Sequence, residues 1–405
     1  MSKMKISIVK PNTYLKEDGT FNLEEAKILS GHIAGECYDE DGLENIQKEP
    51  REKTEKRIKS TLEHGHHSVY GHEYIKFNIE NIPKVLAMVI NNEKEYTTSE
   101  KSGRYTRVEQ DDDSLITSQE SELYDKWLKI FTTKIKEKYG DTFTNRKIRT
   151  LAQENARYVV TAFMPTKMIY KTSLRQINYI VSWLEKYQLE VKEKGEKATY
   201  FEKTLANSMN EFVENMSKLN ILEPGLLNNA KNRSISLFNK TGYEREEYYG
   251  DMYSTNYKAT FPGLGQAQRH RTLSYEMQLP QPGEEEYFIP PIIEDEPMLV
   301  DEWLCDMESI KDKIPNGLLV NVNERGTYEN FILKCKERLC SEAQLEIADQ
   351  TKETLTKYYE ALIEKNHPLA EDMEKYTHGA RCTFPDFKCS SDCKFKEGKI
   401  LVRKI

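Results

Sequence analysis

Apolar and polar positions along this chain follow two rhythms, and the rhythm changes often. From Lys5 to Val9 apolar residues take every second place, the period of a half-buried strand. From Leu23 to Gly35 and from Glu52 to His64 the spacing widens to three and four, which gathers the apolar side chains on one face of a helix. Tyr74 to Ile79 alternates again. Pro83 then opens a helix toward Asn91, at a position where its missing N–H is tolerated. Leu123 to Tyr139 lines up Leu123, Trp127, Ile130, Phe131 and Ile135 on one stripe of an amphipathic helix. Helical spacing resumes from Arg149 to Arg157. Tyr158 to Met164 reads as a strand or extended run, and Ser173 to Tyr187 and Ala198 to Leu219 read as helices.

Glu223-Pro224-Gly225 ends that series and marks the preferred boundary. A second cycle follows. Ser234 to Phe238 reads as a strand, Glu244 to Tyr253 as a helix, Tyr257 to Phe261 as extended and Gln266 to Arg271 as a short helix. Pro280 to Pro291 is a proline-rich acidic loop. Met298 to Ile310, Tyr328 to Gln350 and Thr354 to Asn366 complete a helical second half. The shared order predicts an α+β fold of two tandem modules, 1–222 and 223–375, with a cysteine-bearing tail at 376–405.

Composition narrows the function classes. A chain of 405 residues suits two domains, and 38% hydrophobic against 31% charged residues suits packed, soluble cores. A net charge of -8 argues against a non-specific nucleic-acid binder, which needs a basic face. A local arginine cluster can still hold a small anion. No apolar run is long enough for a bilayer, and the first ten residues lack the apolar core of a signal peptide. The expectation is a cytoplasmic protein without membrane partners. Its seven cysteines are then not a disulfide framework.

Candidate chemistry sits in a few segments. His64, His66, His67 and His72 crowd one stretch, which reads as a polar turn or, less readily, a metal site. Tyr96 to Tyr105 contains Glu100, Lys101, Ser102, Gly103 and Arg104. The hydroxyl, the guanidinium and a backbone freed by glycine could wrap a phosphate. Gln266 precedes Arg269-His270-Arg271, where two guanidiniums flanking an imidazole could hold and polarise an anionic cofactor, or simply form a solvated face. Arg157 enters an apolar run, Arg175 opens a helix, and Arg338 stands four before Glu342, the spacing of a helical ion pair.

Taken together these segments resemble the flavin-dependent thymidylate synthases. That family carries Gly-His-x-Ser/Thr-x-x-Glu-His, then Arg-His-Arg followed by Ser-x-Arg-Tyr, and late in the chain Ala-Gln-x-Glu-Ile. Gly65-His66-His67-Ser68 with His72 resembles the first, with Gly71 in place of Glu. Ser102-Gly103-Arg104-Tyr105 matches the third, but Asn92-Glu93-Lys94 stands where Arg-His-Arg belongs. The second half has the intact Arg269-His270-Arg271, plus Arg338, Gln344 and Glu346, while Gln278-Leu279-Pro280 replaces Ser-x-Arg-Tyr. The motifs are split between the halves. Because the family's sites lie between subunits of a tetramer, the resemblance implies an internal pseudo-dimer, with a homodimer imitating that tetramer.

It also implies reductive methylation of dUMP to dTMP, with FAD as cofactor and methylenetetrahydrofolate and NADPH as co-substrates. Glu100, Lys101, Ser102, Gly103, Arg104, Arg157, Gln266, Arg269 and Arg338 would hold the nucleotide. Cys37, Ser68, Arg175, His270, Arg271 and Arg338 would face the flavin. Arg104, Arg269, His270 and Arg271 would carry catalysis. A methylase or hydroxymethylase of UMP or dCMP, or an inactive nucleotide- or flavin-binding relative, would look the same in sequence. In the tail, His378, Cys382, Cys389 and Cys393 could close a tetrahedral zinc site or stand as unpaired thiols.

Overall fold

The computed structural model describes residues 3–37, 40, 42–102, 115–228, 230, 232–238, 246–390, 393 and 403–405. In chain order the elements are β1 (Lys5–Ile8), α1 (Leu23–Gly35), α2 (Leu43–Ile46), α3 (Arg51–Glu63), β2 (Tyr74–Pro83), α4 (Lys84–Asn92) and β3 (Thr97–Glu100). Then come α5 (Ser118–Tyr139), α6 (Asn145–Ala156), β4 (Pro165–Ser173), α7 (Leu174–Lys194), α8 (Tyr200–Lys218) and α9 (Pro224–Asn228). The rest are β5 (Tyr248–Tyr249), β6 (Met252–Ala259), α10 (Phe261–Ala267), β7 (Ser274–Gln278), α11 (Pro297–Ser309), β8 (Val320–Thr327), α12 (Tyr328–Arg338), α13 (Leu345–Glu364) and α14 (Leu369–Glu374). The architecture is α+β. No helix of the described residues is long and apolar enough to cross a membrane.

Local chemistry sets the helix starts. α5, α6, α7, α8, α10 and α12 each begin after a Ser or Thr whose hydroxyl accepts a first-turn backbone N–H: Thr117, Thr144, Ser173, Thr199, Thr260 and Thr327. At Thr117 and Thr199 a glutamate three residues on returns the bond, closing a capping box.

The chain divides into two compact units, Met1–Lys101 with Pro165–Ile235, and Ser102–Met164 with Ser236–Ile405. The first holds an antiparallel sheet in the order β1-β2-β4-β3, with Ile75, Phe77, Ile79, Met168 and Tyr170 on its buried face. The second holds a sheet in the order β5-β6-β8-β7. The route is the same in each. The second strand runs into a helix (α4 or α10), the third strand lies at the edge, and the fourth returns to the middle and caps a long helix (α7 or α12).

This grouping differs from a cut at Pro224. Residues 102–164 cluster with the later part of the chain because α5 and α6 pack their apolar stripe against α11. Trp127 meets Trp303 edge-on at 4.8 Å, with Phe131 beside both. The indole N–H of Trp303 donates to the Phe288 carbonyl at 2.8 Å, and that of Trp127 to Asp306 at 2.8 Å.

Several elements depart from the sequence reading. Ser236–Phe238 is a short 3₁₀ turn instead of a strand. Tyr248 to Tyr253, expected as helix, forms the β5–β6 hairpin, because Tyr253 is needed on the buried face. Arg157–Val159 is a 3₁₀ turn, and the following residues make only an isolated bridge from Thr161 to Pro315. The helix expected from Tyr328 to Gln350 is broken at residues 339–344, where the Ala343 N–H turns back to the Cys340 carbonyl.

Candidate functional site

The break between α12 and α13 ends at Gln344, and this residue organises a buried polar network in the second unit. Its Oε1 accepts from Arg157 Nη2 at 2.8 Å and from Gln266 Nε2. Its Nε2 donates to the Tyr158 hydroxyl at 2.5 Å and to Glu346 Oε2 at 3.3 Å. Tyr158 in turn donates to Glu346 Oε2 at 2.9 Å. Glu346 is completed by the N–H and hydroxyl of Thr260, each 2.8 Å from its Oε1. Thr260 is also the cap of α10, whose Gly263 N–H donates to that hydroxyl at 3.0 Å. A β-carbon at Gly263 would collide with the Glu346 carboxylate, so glycine is required for this approach.

Helix α10 delivers Gln266 into the network and then turns out through Arg269-His270-Arg271. His270 is buried, and Arg338 Nε donates to its Nε2 at 2.6 Å. Arg338 Nη2 also reaches the Gln266 carbonyl at 3.5 Å. Burial, with the Arg338 and Lys334 charges nearby, pushes the imidazole down to about 2 from the ordinary 6.5. A neutral ring is what an Arg donor requires of its acceptor. Gln344 thus links Arg157 to Gln266, and Arg338 links His270 to the Gln266 backbone, all in one unit. Arg269 and Arg271 are exposed beside them. Arg157 is buried, and among the described residues its Nε has no hydrogen-bond partner. Burial also pushes the Glu346 carboxyl up, against the pull of its Thr260 and Tyr158 donors.

Beside this network lies a second buried cluster. Lys334 and Glu324 have no exposed side-chain surface and meet at 2.7 Å. Tyr253 and Tyr257 each donate to Glu324 at 2.7 Å, and Lys334 donates to Gln350 at 2.8 Å. Every charge here is compensated, as burial demands.

The other expected residues lie elsewhere. Glu100 ends β3 in the first unit, paired with Lys84, and the Lys101 N–H donates to the Lys167 carbonyl at 2.8 Å. Ser102 begins the segment grouped with the second unit. Gly103 and Arg104 lie outside the described residues. Cys37 is exposed just after α1. Ser68 sits on a 3₁₀ turn, His67–Gly71. The Arg175 guanidinium lies over that turn, 3.7 Å from where a Gly71 β-carbon would stand. His67 fixes the turn by bonding the Tyr179 hydroxyl at 2.7 Å and the Leu62 carbonyl at 3.2 Å.

The structure does not support the zinc alternative for His378, Cys382, Cys389 and Cys393. Among the described residues no three of His, Cys, Asp or Glu are gathered to hold a metal ion. This stretch of tail is held by aromatic and ionic contacts instead. Tyr376 packs edge-on against Phe384, Arg381 lies over Phe387, and Asp386 takes Lys336.

Gln344, Glu346, Thr260 and Tyr158 were not among the expected site residues, although two signals marked the first three. Ala343-Gln344-Leu345-Glu346-Ile347 is a recognisable motif, and Thr260-Phe261-Pro262 has the form of a helix cap followed by proline. Nothing local marked Lys334 and Glu324 as partners.

Residues 23–198, less than half of the chain, match the sequence model of the family described as thymidylate synthase complementing protein. No curated protein matches the chain. Among solved structures it is similar to thymidylate synthase X from Helicobacter pylori with FAD and dUMP, at 12% identity and TM-score 0.32, covering 56% of this chain and 98% of that one. It is also similar to a UMP/dUMP methylase from Streptomyces cacaoi bound with 5-Br dUMP, at 12% identity and TM-score 0.32, covering 55% and 98%.

Proposed function

We propose that this chain is a flavin-dependent methylase of a pyrimidine nucleotide, converting dUMP to dTMP with FAD, methylenetetrahydrofolate and NADPH. One observation carries the reading. Arg157 and Gln266 meet at the Gln344 carboxamide, Arg338 joins His270 to the Gln266 backbone beside them, and among the described residues the Nε of the buried Arg157 has no hydrogen-bond partner. A second guanidinium, two carboxamides and an orphaned buried N–H suit an anionic, carbonyl-rich ligand. The family match over residues 23–198 points the same way.

In this reading Arg157, Gln266, Arg269 and Arg338 of the second unit hold the nucleotide. His270 and Arg271 of the second unit face the flavin. A bound reduced flavin would supply the hydride. The chain's own residues orient the base and exclude water. An arginine against a pyrimidine carbonyl stabilises the negative charge that develops as the ring is activated. The repeated strand order supports reading the two units as copies of one module. A homodimer follows from that reading, and light scattering on the purified protein tests it.

The deciding experiment is the visible absorption spectrum with added FAD and then dUMP. A bound-flavin band that shifts on adding dUMP supports the proposal, and repeating the titration with UMP and dCMP ranks the bases. Absence of flavin binding in both redox states removes the enzyme reading. Arg157→Lys keeps the charge but loses the planar fork, and should weaken dUMP binding at least about tenfold, or about 1.4 kcal/mol, in a titration.

A further inference from the structure

Residues 403–405 touch the turn that precedes Gln344 and the apolar cluster in which the helix before Arg157 is packed. Arg403 is buried, with Nη1 donating to the Ser341 carbonyl at 3.1 Å and Nη2 to the Ala343 carbonyl at 2.7 Å. Those carbonyls lie in the break between α12 and α13, immediately before Gln344. The next residue holds the other limb. The Lys404 N–H donates to the Tyr139 hydroxyl of α5 at 3.0 Å, and its ammonium meets Glu294 and Asp295. Ile405 is buried in the apolar cluster built from α5, α6 and α11. Helix α6 ends at Ala156, so that cluster fixes where Arg157 begins.

We propose that Arg403 is a positioning residue for the Gln344 site. A non-helical turn leaves carbonyls without ladder partners, and its backbone is then free to rotate. A guanidinium that bonds two of these carbonyls in one turn removes that freedom. Gln344 inherits the result, because its carboxamide must present Oε1 to Arg157 and Gln266 while Nε2 faces Tyr158 and Glu346. A ligand meeting a preset carboxamide has no ordering cost to overcome. The inference deepens the nucleotide reading and rests on it for the identity of the ligand.

The test uses full-length protein, Arg403→Gln and Arg403→Lys, with glutamine-selective ¹⁵N labelling. The Gln344 side-chain amide signal is identified by its loss in Gln344→Met. Arg403→Gln should shift or broaden that signal and weaken dUMP binding about tenfold by calorimetry, and Arg403→Lys should recover part of both. An unmoved Gln344 signal overturns the proposal. So does a moved signal with unchanged dUMP affinity. If the parent protein does not bind dUMP but Arg403→Gln still displaces the Gln344 signal, the nucleotide reading falls and the positioning role stands. Should Arg403→Gln fail to fold, Arg403→Lys decides on the same two signals.

Discussion

His270 shows how one side chain can be set by its surroundings. Folding holds its imidazole down at about 2, against 6.5 for the unperturbed group. Between those values the unfolded chain binds one proton more than the folded one. Stability therefore falls as pH drops below about 6.5, by about 1.4 kcal/mol per pH unit from this residue. His270→Gln keeps an acceptor for Arg338 without a titrating ring. Urea unfolding at pH 7 and pH 5 should show a smaller loss of stability in the variant, and equal losses would contradict the assignment. At this scale the sequence was informative about residue type. Arg157, His270 and Arg338 could be singled out because guanidiniums and an imidazole amid apolar neighbours are unusual, and Gln266 only because it precedes Arg269-His270-Arg271. Gln344 was harder to read, since its place depends on what Arg157, Gln266, Tyr158 and Glu346 bring to it.

Helix α10 is short, and its first turn does two tasks with one hydroxyl. Thr260 caps the helix and also supplies donors to Glu346. Thr260→Val keeps the shape but leaves the Gly263 N–H and the carboxylate short of partners. The expected cost is about 2–4 kcal/mol, the sum of a lost cap and a stranded buried acceptor. Thr199→Val, at the exposed cap of α8, should cost about 1 kcal/mol, and thermal unfolding of both variants measures the contrast. Most helices were visible in the apolar spacing. α1 falls on Leu23–Gly35 as read, and the Pro83 start of α4 holds. The failures have a common cause. The β5–β6 hairpin and the 339–344 break are imposed by distant partners, and local periodicity carries no record of them.

Across the whole molecule, each unit repeats one strand order, while the chain passes between units at residues 101–102, 164–165 and 235–236. The core of the second unit depends on helices from both of its segments. Trp303→Ala should remove about 3–5 kcal/mol from that unit, because the indole is fully buried against Trp127 and Phe131, and calorimetry can read the shift. The α+β class was legible from alternating periods. The grouping of residues 102–164 was not, because an amphipathic stripe announces a buried face without naming what buries it. The same interleaving bears on how the protein is born. When α6 leaves the ribosome, its partner α11 is still about 150 codons away, a wait of roughly 10–30 s at ordinary translation speed. Throughout that interval Trp127 and Phe131 lack the Trp303 ring that packs on them in the finished unit, so the nascent chain should lean on a holding chaperone before the second unit can close.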